Sequence, residues 1–294
     1  MNTASEIQVK QQVRQFYDEV GWQEVGEGVY QNARYEDLRP VSREYIHRCH
    51  LRVKRHLSEE GQYFLDAGSG PIQYPEYLEY SRGYQARVCA DISIVALQEA
   101  RQRIGDRNDN GQGLFVVADV AYLPFKRDTF DGAVSLHTIH HLPIGEHRQA
   151  YQEIYRVLAP LKSAVVVNGW QDSSIMRLFV GPIKWRNRTR KRIRRSIDNI
   201  RRGQSVSQVG APKPKRKGTY VRKHDADWLK KEVGSIIHLE IYVWRSVSVR
   251  FLRAYVLPNV GGKWLLRQLY KLEERFPQFI GEHGLYPLIV LKKK

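Results

Sequence analysis

The chain has 294 residues, 42% of them hydrophobic, with 22 glycines and a formal net charge of +17, an ordinary balance for a globular protein. No apolar run is long enough to cross a bilayer, and Cys49 and Cys89, the only two cysteines, do not make a disulfide framework, so the expected setting is a reducing cytoplasm. Sixteen Lys or Arg against one acid, Asp198, fall within residues 184–223, so one stretch carries nearly all the charge and the rest is close to neutral.

In chain order, the polar start from Met1 to Gln12 lacks the apolar core of a secretory signal. Residues 6–20 and 41–57 carry helical patterns, with Val9, Val13, Phe16 and Val20 on one face of the first. Between them lie Gly21-Trp22 and an aromatic stretch with Tyr30, Arg34 and Tyr35; for any one of these aromatics, plain packing against a core is an equally good reading. From Tyr63 onward strands are predicted near 63–67, 87–91, 114–118, 131–136 and 163–168. They alternate with helices at Ser93 to Arg103 and at Glu146 to Leu158, where Tyr151, Ile154, Tyr155 and Leu158 form an i, i+3, i+4, i+7 stripe. That alternation implies a parallel sheet covered by helices on both faces, with ligands bound beyond the carboxyl ends of the strands. Gly68, Asp91, Asp119 and His137 fall there.

The first strand runs into Asp66-Ala67-Gly68-Ser69-Gly70-Pro71-Ile72-Gln73. Glycine permits a sharp turn and lets a ligand approach the main chain, and Pro75 suits the first turn of a following helix. Gln73 stands where a dinucleotide fingerprint has its third glycine, and Pro71 has no N–H for an anion, so the loop suits a nucleoside without phosphates. Asp91 follows Asp66 by 25 residues, a spacing that places a carboxylate near ribose hydroxyls. Taken singly, these residues also read as a strand-to-helix turn and a helix-start carboxylate.

After Trp170 the regular alternation stops. Trp185, Thr189, Ile193, Ile197 and Ile200 recur at helical spacing within an arginine-rich segment. Such a basic amphipathic helix over 184–202 suits an anionic membrane surface, while the same arginines suit RNA phosphates or a solvated arm docked on the core. Gln204 to Gly218 reads as a mobile linker. A helix is predicted over Asp225 to Glu232, a half-buried strand from Leu239 through Val247, Val249 and Phe251, a helix over Lys263 to Phe276, and a last strand at Pro287 to Leu291.

Asp66-x-Gly68-x-Gly70, Asp91-Ile92-Ser93, Ala118-Asp119-Val120 and Phe130-Asp131-Gly132-Ala133-Val134 stand in this order at strand-like spacings. Together they resemble the class I S-adenosylmethionine-dependent methyltransferases over residues 61–170. The resemblance implies an α/β fold with a doubly wound, seven-stranded, mostly parallel Rossmann-like sheet whose seventh strand returns antiparallel. It implies S-adenosyl-L-methionine as cofactor, held by Asp66, Gly68, Gly70, Asp91, Ile92, Asp119 and Val120, with Asp119 on the adenine amino group and a backbone N–H of Val120 beside it. Two residues depart from the family pattern: Ile72 replaces a third glycine common in the loop, and Leu161-Lys162 stands where Gly-Gly often precedes the fifth strand. The expected organisation is an N-terminal helical lid over 1–60, a cofactor-binding core over 61–170, a basic insert over 171–223 and a C-terminal part over 224–294 that completes the sheet.

Methyl transfer needs mainly alignment and exclusion of water; a base is required only when the acceptor must lose a proton. His137, His140 and His141, after the fourth strand, are the candidates for that base, and a capping or structural role is the alternative for each. No metal is expected, because no cysteine or acidic cluster accompanies them and the adjacent His140 and His141 should diverge. The expected function is a cytoplasmic methyltransferase for a small-molecule or lipid-like acceptor, peripheral at a membrane. A tRNA or RNA methyltransferase using the basic insert is one alternative, and a non-catalytic cofactor-binding partner protein is another.

Overall fold

The computed structural model describes residues 3–26, 29–30, 36–105, 112–179, 181 and 218–294. Helix α1 (Thr3–Phe16) widens into a π-helical turn, Tyr17–Gly21, and a short antiparallel ribbon pairs Glu24–Gly26 with Val29–Tyr30. Helix α2 (Pro40–Leu51) begins on proline, whose fixed φ suits a first helical turn, and runs towards a 3-10 turn at Val53–His56. Then follow β1 (Gly61–Ala67), a 3-10 segment at Pro75–Ser81, β2 (Tyr84–Asp91), α3 (Ile94–Gly105), β3 (Gln112–Val117), β4 (Phe130–Leu136), α4 (His147–Val157) and β5 (Leu158–Val167). Beyond residue 218 come α5 (Ala226–Trp228) with a π turn at Leu229–Val233, β6 (Leu239–Arg245), α6 (Val249–Tyr255), α7 (Gly262–Arg275), α8 (Pro277–His283) and β7 (Tyr286–Lys292).

The seven strands form one sheet in the order β3-β2-β1-β4-β5-β7-β6, with β7 antiparallel to both neighbours and the others parallel. This is the Rossmann-like methyltransferase fold that the motifs imply. The pleat sends alternate residues of a strand to opposite faces, so Leu65 and Ala67 enter one core with Ile154 and Val157 of α4, while Phe64 enters another with Leu97 and Ala100 of α3. The order reverses between β2-β1 and β4, and the crevice at such a switch point is where open α/β sheets bind ligands.

The strand expected to continue through Val247, Val249 and Phe251 ends at Arg245 instead. Ser248 caps α6, its hydroxyl accepting from the Phe251 N–H at 3.1 Å. Val247, just before the cap, and Phe251, within the helix, are four residues apart as well as alternate, so both side chains still enter one apolar cluster, the third, without a continuing strand. The segment after Pro75 is 3-10 in character. The basic helix expected from Trp185 to Ile200, the linker up to residue 217, and Arg34 and Tyr35 lie outside the described residues. Among the described residues no helix is long and apolar enough to cross a membrane.

Both departures from the family's glycines have a conformational meaning. Ile72 has φ 54° and Leu161 φ 63°, the left-handed region that glycine enters freely and a branched side chain enters at a cost of about 1–2 kcal/mol. Leu161 is 89% exposed and Ile72 only 1%, so the two positions respond oppositely to glycine. Leu161→Gly is expected to stabilise the protein by about 0.5–1 kcal/mol, the relieved strain less the entropy of glycine in the unfolded chain. Ile72→Gly is expected to destabilise it by about 2–5 kcal/mol through the lost core side chain. Urea denaturation of both variants checks the two signs.

Candidate active site

The loop after β1 is hung on the end of β2: the N–H groups of Gly68 and Ser69 both donate to the Ala90 carbonyl, at 2.6 and 3.3 Å. Gly68 has φ 77°, and a Cβ there would fall 2.2 Å from Cγ2 of Thr138. At Gly70, φ 54°, a Cβ would fall 2.9 Å from the Trp22 ring. The Gly70 N–H donates to Oδ2 of Asp91 at 2.9 Å and the Ser93 N–H to Oδ1 at 2.8 Å. Asp91 is thereby fixed at the wall of a cavity of about 420 Å³ and keeps acceptor capacity on both oxygens. Burial, with the nearby Asp66 and Asp18 charges, pushes this carboxyl up to about 6 against the opposing pull of its two N–H bonds.

Ile92, Asp119 and Val120 line the same cavity. Asp119 accepts from the Ala121 N–H through Oδ1 at 2.9 Å and meets Lys10 Nζ through Oδ2 at 2.5 Å. Lys10 also reaches Glu146 Oε1 at 2.7 Å; burial opposes its charge, but the hydrogen bonds and charges of these two carboxylates outweigh it and raise its pKa. The pair thus draws α1 onto the cavity. Tyr17 and Trp22 stack at 5.1 Å behind it, so the N-terminal segment walls the glycine loop. Asp66 is placed elsewhere than expected: it is buried, paired with Arg87, and absent from the cavity wall. Arg87 is itself fully buried and also donates to the Tyr77 carbonyl at 2.7 Å, so the carboxylate that opens the loop motif neutralises a cation inside the sheet.

All three histidines line the cavity, in unlike surroundings. His137 follows β4 directly, with φ 58° and an N–H bonded to the Val167 carbonyl at 2.7 Å. Its ring lies 5.0 Å from Trp244 and 5.7 Å from Tyr286. The rings of His140 and His141 do not diverge; a tight 3-10 turn at Ile139–His141 holds their centroids 4.2 Å apart. His141 is bonded on both nitrogens, Nδ1 donating to the Tyr220 carbonyl at 2.8 Å and Nε2 accepting from the Tyr17 hydroxyl at 2.8 Å. His140 Nδ1 donates to Asn168 Oδ1 at 3.1 Å, which leaves Nε2 as a lone-pair acceptor. Burial keeps all three neutral: it lowers His137 to about 3 and His141 to about 4, and holds His140 well below the ordinary range.

Several lining residues escaped the sequence reading. Lys10 is one lysine of a polar helix and carries no local signal. Lys223 stands at the end of the basic stretch among fifteen other cations. Arg245 had a usable signal, a charge at the carboxyl end of an otherwise apolar alternating strand. Tyr74, Tyr77 and Tyr286 complete an aromatic chamber beside the histidines.

The switch-point crevice, the glycine turn and the clamped carboxylate define a nucleoside-binding site. The Gly70 N–H is committed to Asp91 and Pro71 has none, so the turn fits a nucleoside sulfonium better than a pyrophosphate. Residues 65–166 match the family model described as "Methyltransferase domain". They are a class I methyltransferase domain, whose cofactor is S-adenosylmethionine. The O-methyltransferase resE of Aspergillus sclerotiorum is 31% identical over 103 residues, 35% of this chain and 38% of that protein. Methyltransferase phqN of Penicillium fellutanum is 28% identical over 143 residues, 47% of this chain and 43% of that protein. The matched stretch thus spans about two-fifths of these relatives' length. Geranyl diphosphate C-methyltransferase of Streptomyces coelicolor, solved with S-adenosyl-L-homocysteine, shares the fold with a TM-score of 0.55 at 12% identity, covering 97% of this chain and 98% of that one.

Asp91 is expected to make cofactor affinity depend on pH in a defined direction. Its carboxyl titrates at about 6, and the ionised form is the better acceptor for ribose hydroxyls. S-adenosylhomocysteine affinity is therefore expected to be flat above pH about 6 and to fall as pH drops through it. Asp91→Ala is expected to weaken binding about ten- to a hundredfold and to abolish that dependence. Titration calorimetry across the pH range checks both.

Proposed function

We propose that the protein transfers the methyl group of S-adenosylmethionine to an oxygen of a small, largely apolar acceptor. The observation that carries this reading is a single cavity reaching from Asp91 and Asp119 to the chamber of His137, His140, Tyr74 and Tyr286. Its volume suits a small molecule. Gly68, Gly70, Asp91, Ile92, Asp119 and Val120 would hold the cofactor, which supplies an electrophilic methyl on a sulfonium sulfur. Lys10, Tyr17 and Trp22 close that end against water, which sharpens every electrostatic contact inside.

On the acceptor side His140 is the base. The Asn168 carbonyl oxygen accepts a hydrogen bond from Nδ1–H and so keeps that proton on Nδ1, which leaves Nε2 to receive the acceptor's hydroxyl proton as the oxygen bonds to carbon. His141, engaged on both nitrogens, positions the N-terminal segment against residues 218–223, and His137 shapes the aromatic wall. The relative named as an O-methyltransferase supports oxygen as the acceptor atom. His140→Ala is expected to lower kcat about a hundredfold or more while leaving S-adenosylhomocysteine affinity unchanged. His141→Ala is expected to weaken the binding of S-adenosylhomocysteine by loosening Tyr17. Because His140 is held well below its ordinary pKa, the acidic limb of the rate profile is expected well below 6.5, not at it. Equal kcat in wild type and His140→Ala removes the base from the mechanism.

The basic stretch 184–202 would place this chemistry at the cytoplasmic face of an anionic membrane, charge drawing it near and the stripe from Trp185 to Ile200 entering the interface. Replacing Ile193, Ile197 and Ile200 by Ser is expected to reduce co-sedimentation with phosphatidylserine vesicles without changing cofactor affinity. Unchanged co-sedimentation, or a preference of the parent protein for tRNA at matched salt, overturns the membrane reading and favours RNA.

A further inference from the structure

Among the described residues, the chamber contains a cation without a counter-ion. Lys223 lines the cavity half-buried, its Nζ lying 2.6 Å from where a Cβ on Gly169 would stand, so a residue without a side chain makes its room. Among the described residues no carboxylate lies within ion-pair distance and no group hydrogen-bonds to the ammonium; the Tyr286 ring, 5.9 Å away, is its aromatic neighbour. Arg245, 1% exposed, approaches the same ring, its guanidinium carbon 4.7 Å from the centroid. Arg245 is paired through Nη1 with Glu36 Oε2 at 2.5 Å, yet its Nε is buried without a partner among the described residues. So is Oγ1 of Thr219, four residues before Lys223 on the same cavity-lining segment. His137 and His140 are neutral, so among the described residues two cations, Lys223 and Arg245, face one carboxylate, Glu36.

A charge drawn partly out of water without a partner is costly, and proteins keep one mainly where a ligand supplies the opposite charge. We propose that Lys223 holds an ionised oxygen of the acceptor, so that the acceptor is an acidic compound, a phenol, an enol or a carboxylate-bearing molecule, and not a neutral alcohol or an ammonium. Thr219 Oγ1 and Arg245 Nε are the further donors on offer. Burial lowers the pKa of Lys223, as expected of a cation waiting for its partner. The inference rests on methyl transfer to oxygen and makes that step chemically consistent. A weakly basic imidazole such as His140 suits a hydroxyl that is itself acidic: the hydroxyl gives its proton to Nε2, the oxyanion so formed lies against Lys223, its oxygen pair forms the new C–O bond, and the C–S pair returns to sulfur. Ammonium acceptors would meet two cations.

The test uses the full chain with S-adenosylhomocysteine, whose own affinity is measured first. The probes are 4-nitrophenol, whose ionised form has its own absorption band, and benzoate. Wild-type protein is expected to bind 4-nitrophenol as phenolate and lower its apparent pKa by about one unit or more. Lys223→Met is expected to lose that shift and weaken binding at least tenfold, while Lys223→Arg retains both. Lys223→Met is also expected to melt at an equal or higher temperature than wild type, because it removes an unpaired charge. If benzoate binding depends on Lys223 and 4-nitrophenol keeps its solution spectrum, the anion is a carboxylate apart from the reacting oxygen. If both probes bind wild type and Lys223→Met alike, or neither binds, the oxyanion site is overturned. Loss of S-adenosylhomocysteine binding would instead refute the methyl-transfer reading, and the probe comparison is then read on the free protein.

Discussion

The Asp91 carboxylate, clamped by the N–H groups of Gly70 and Ser93, is the interaction on which the rest of the site depends. It ties the loop after β1 to the start of α3, and so closes the crevice at the point where the strand order reverses. From Gly70 a chain of contacts runs outward. Trp22 lies over the space a Cβ would fill, Tyr17 stacks on Trp22, the Tyr17 hydroxyl holds His141, and His141 holds the Tyr220 carbonyl. Each hydrogen bond of this chain contributes only about 1 kcal/mol. Their value lies in linkage, since cofactor loop, N-terminal helix and the segment entering from residue 218 share one set of contacts.

Charge in the cavity is sorted along its length. Asp91 and Asp119 give the cofactor end its negative character, with Lys10 balancing part of it. Lys223 and Arg245 make the other end positive, and neutral imidazoles lie among them. A sulfonium donor and an oxyanion acceptor match that polarity. Inside a site that excludes water, both fields act with less screening than at a surface.

The same residues explain where the protein gives up stability. His137 holds a left-handed backbone at the end of β4, Lys223 has no counter-ion among the described residues, and Asp91 is pushed up by burial. Strain and uncompensated charge of this kind persist where a ligand completes the arrangement. Ile72 shows the opposite case: its backbone is equally strained, but its side chain is core, so packing stabilises what the conformation costs.

The parallel sheet, the glycine turn and the approximate strand positions were legible in the chain itself, because pleat alternation, helical stripes and glycine are local properties that neighbouring residues express. Asp91 and Asp119 were legible for the same reason, each ending a strand at a known spacing. The pairing of Asp66 with Arg87 was not legible, because Arg87 belongs to another strand and no local pattern announces a buried pair. The strand expected across Val247 to Phe251 failed because one set of apolar residues satisfies both periods; the Ser248 cap and the third apolar cluster decided for a helix. Lys10, Arg245 and Lys223 come from segments more than 200 residues apart at the extremes, and what each does depends on which carboxylate or ring it meets. Local chemistry thus determined the sheet and the cofactor turn, whereas only tertiary packing decided which charges are paired, which histidine keeps a free lone pair, and which cation is left waiting.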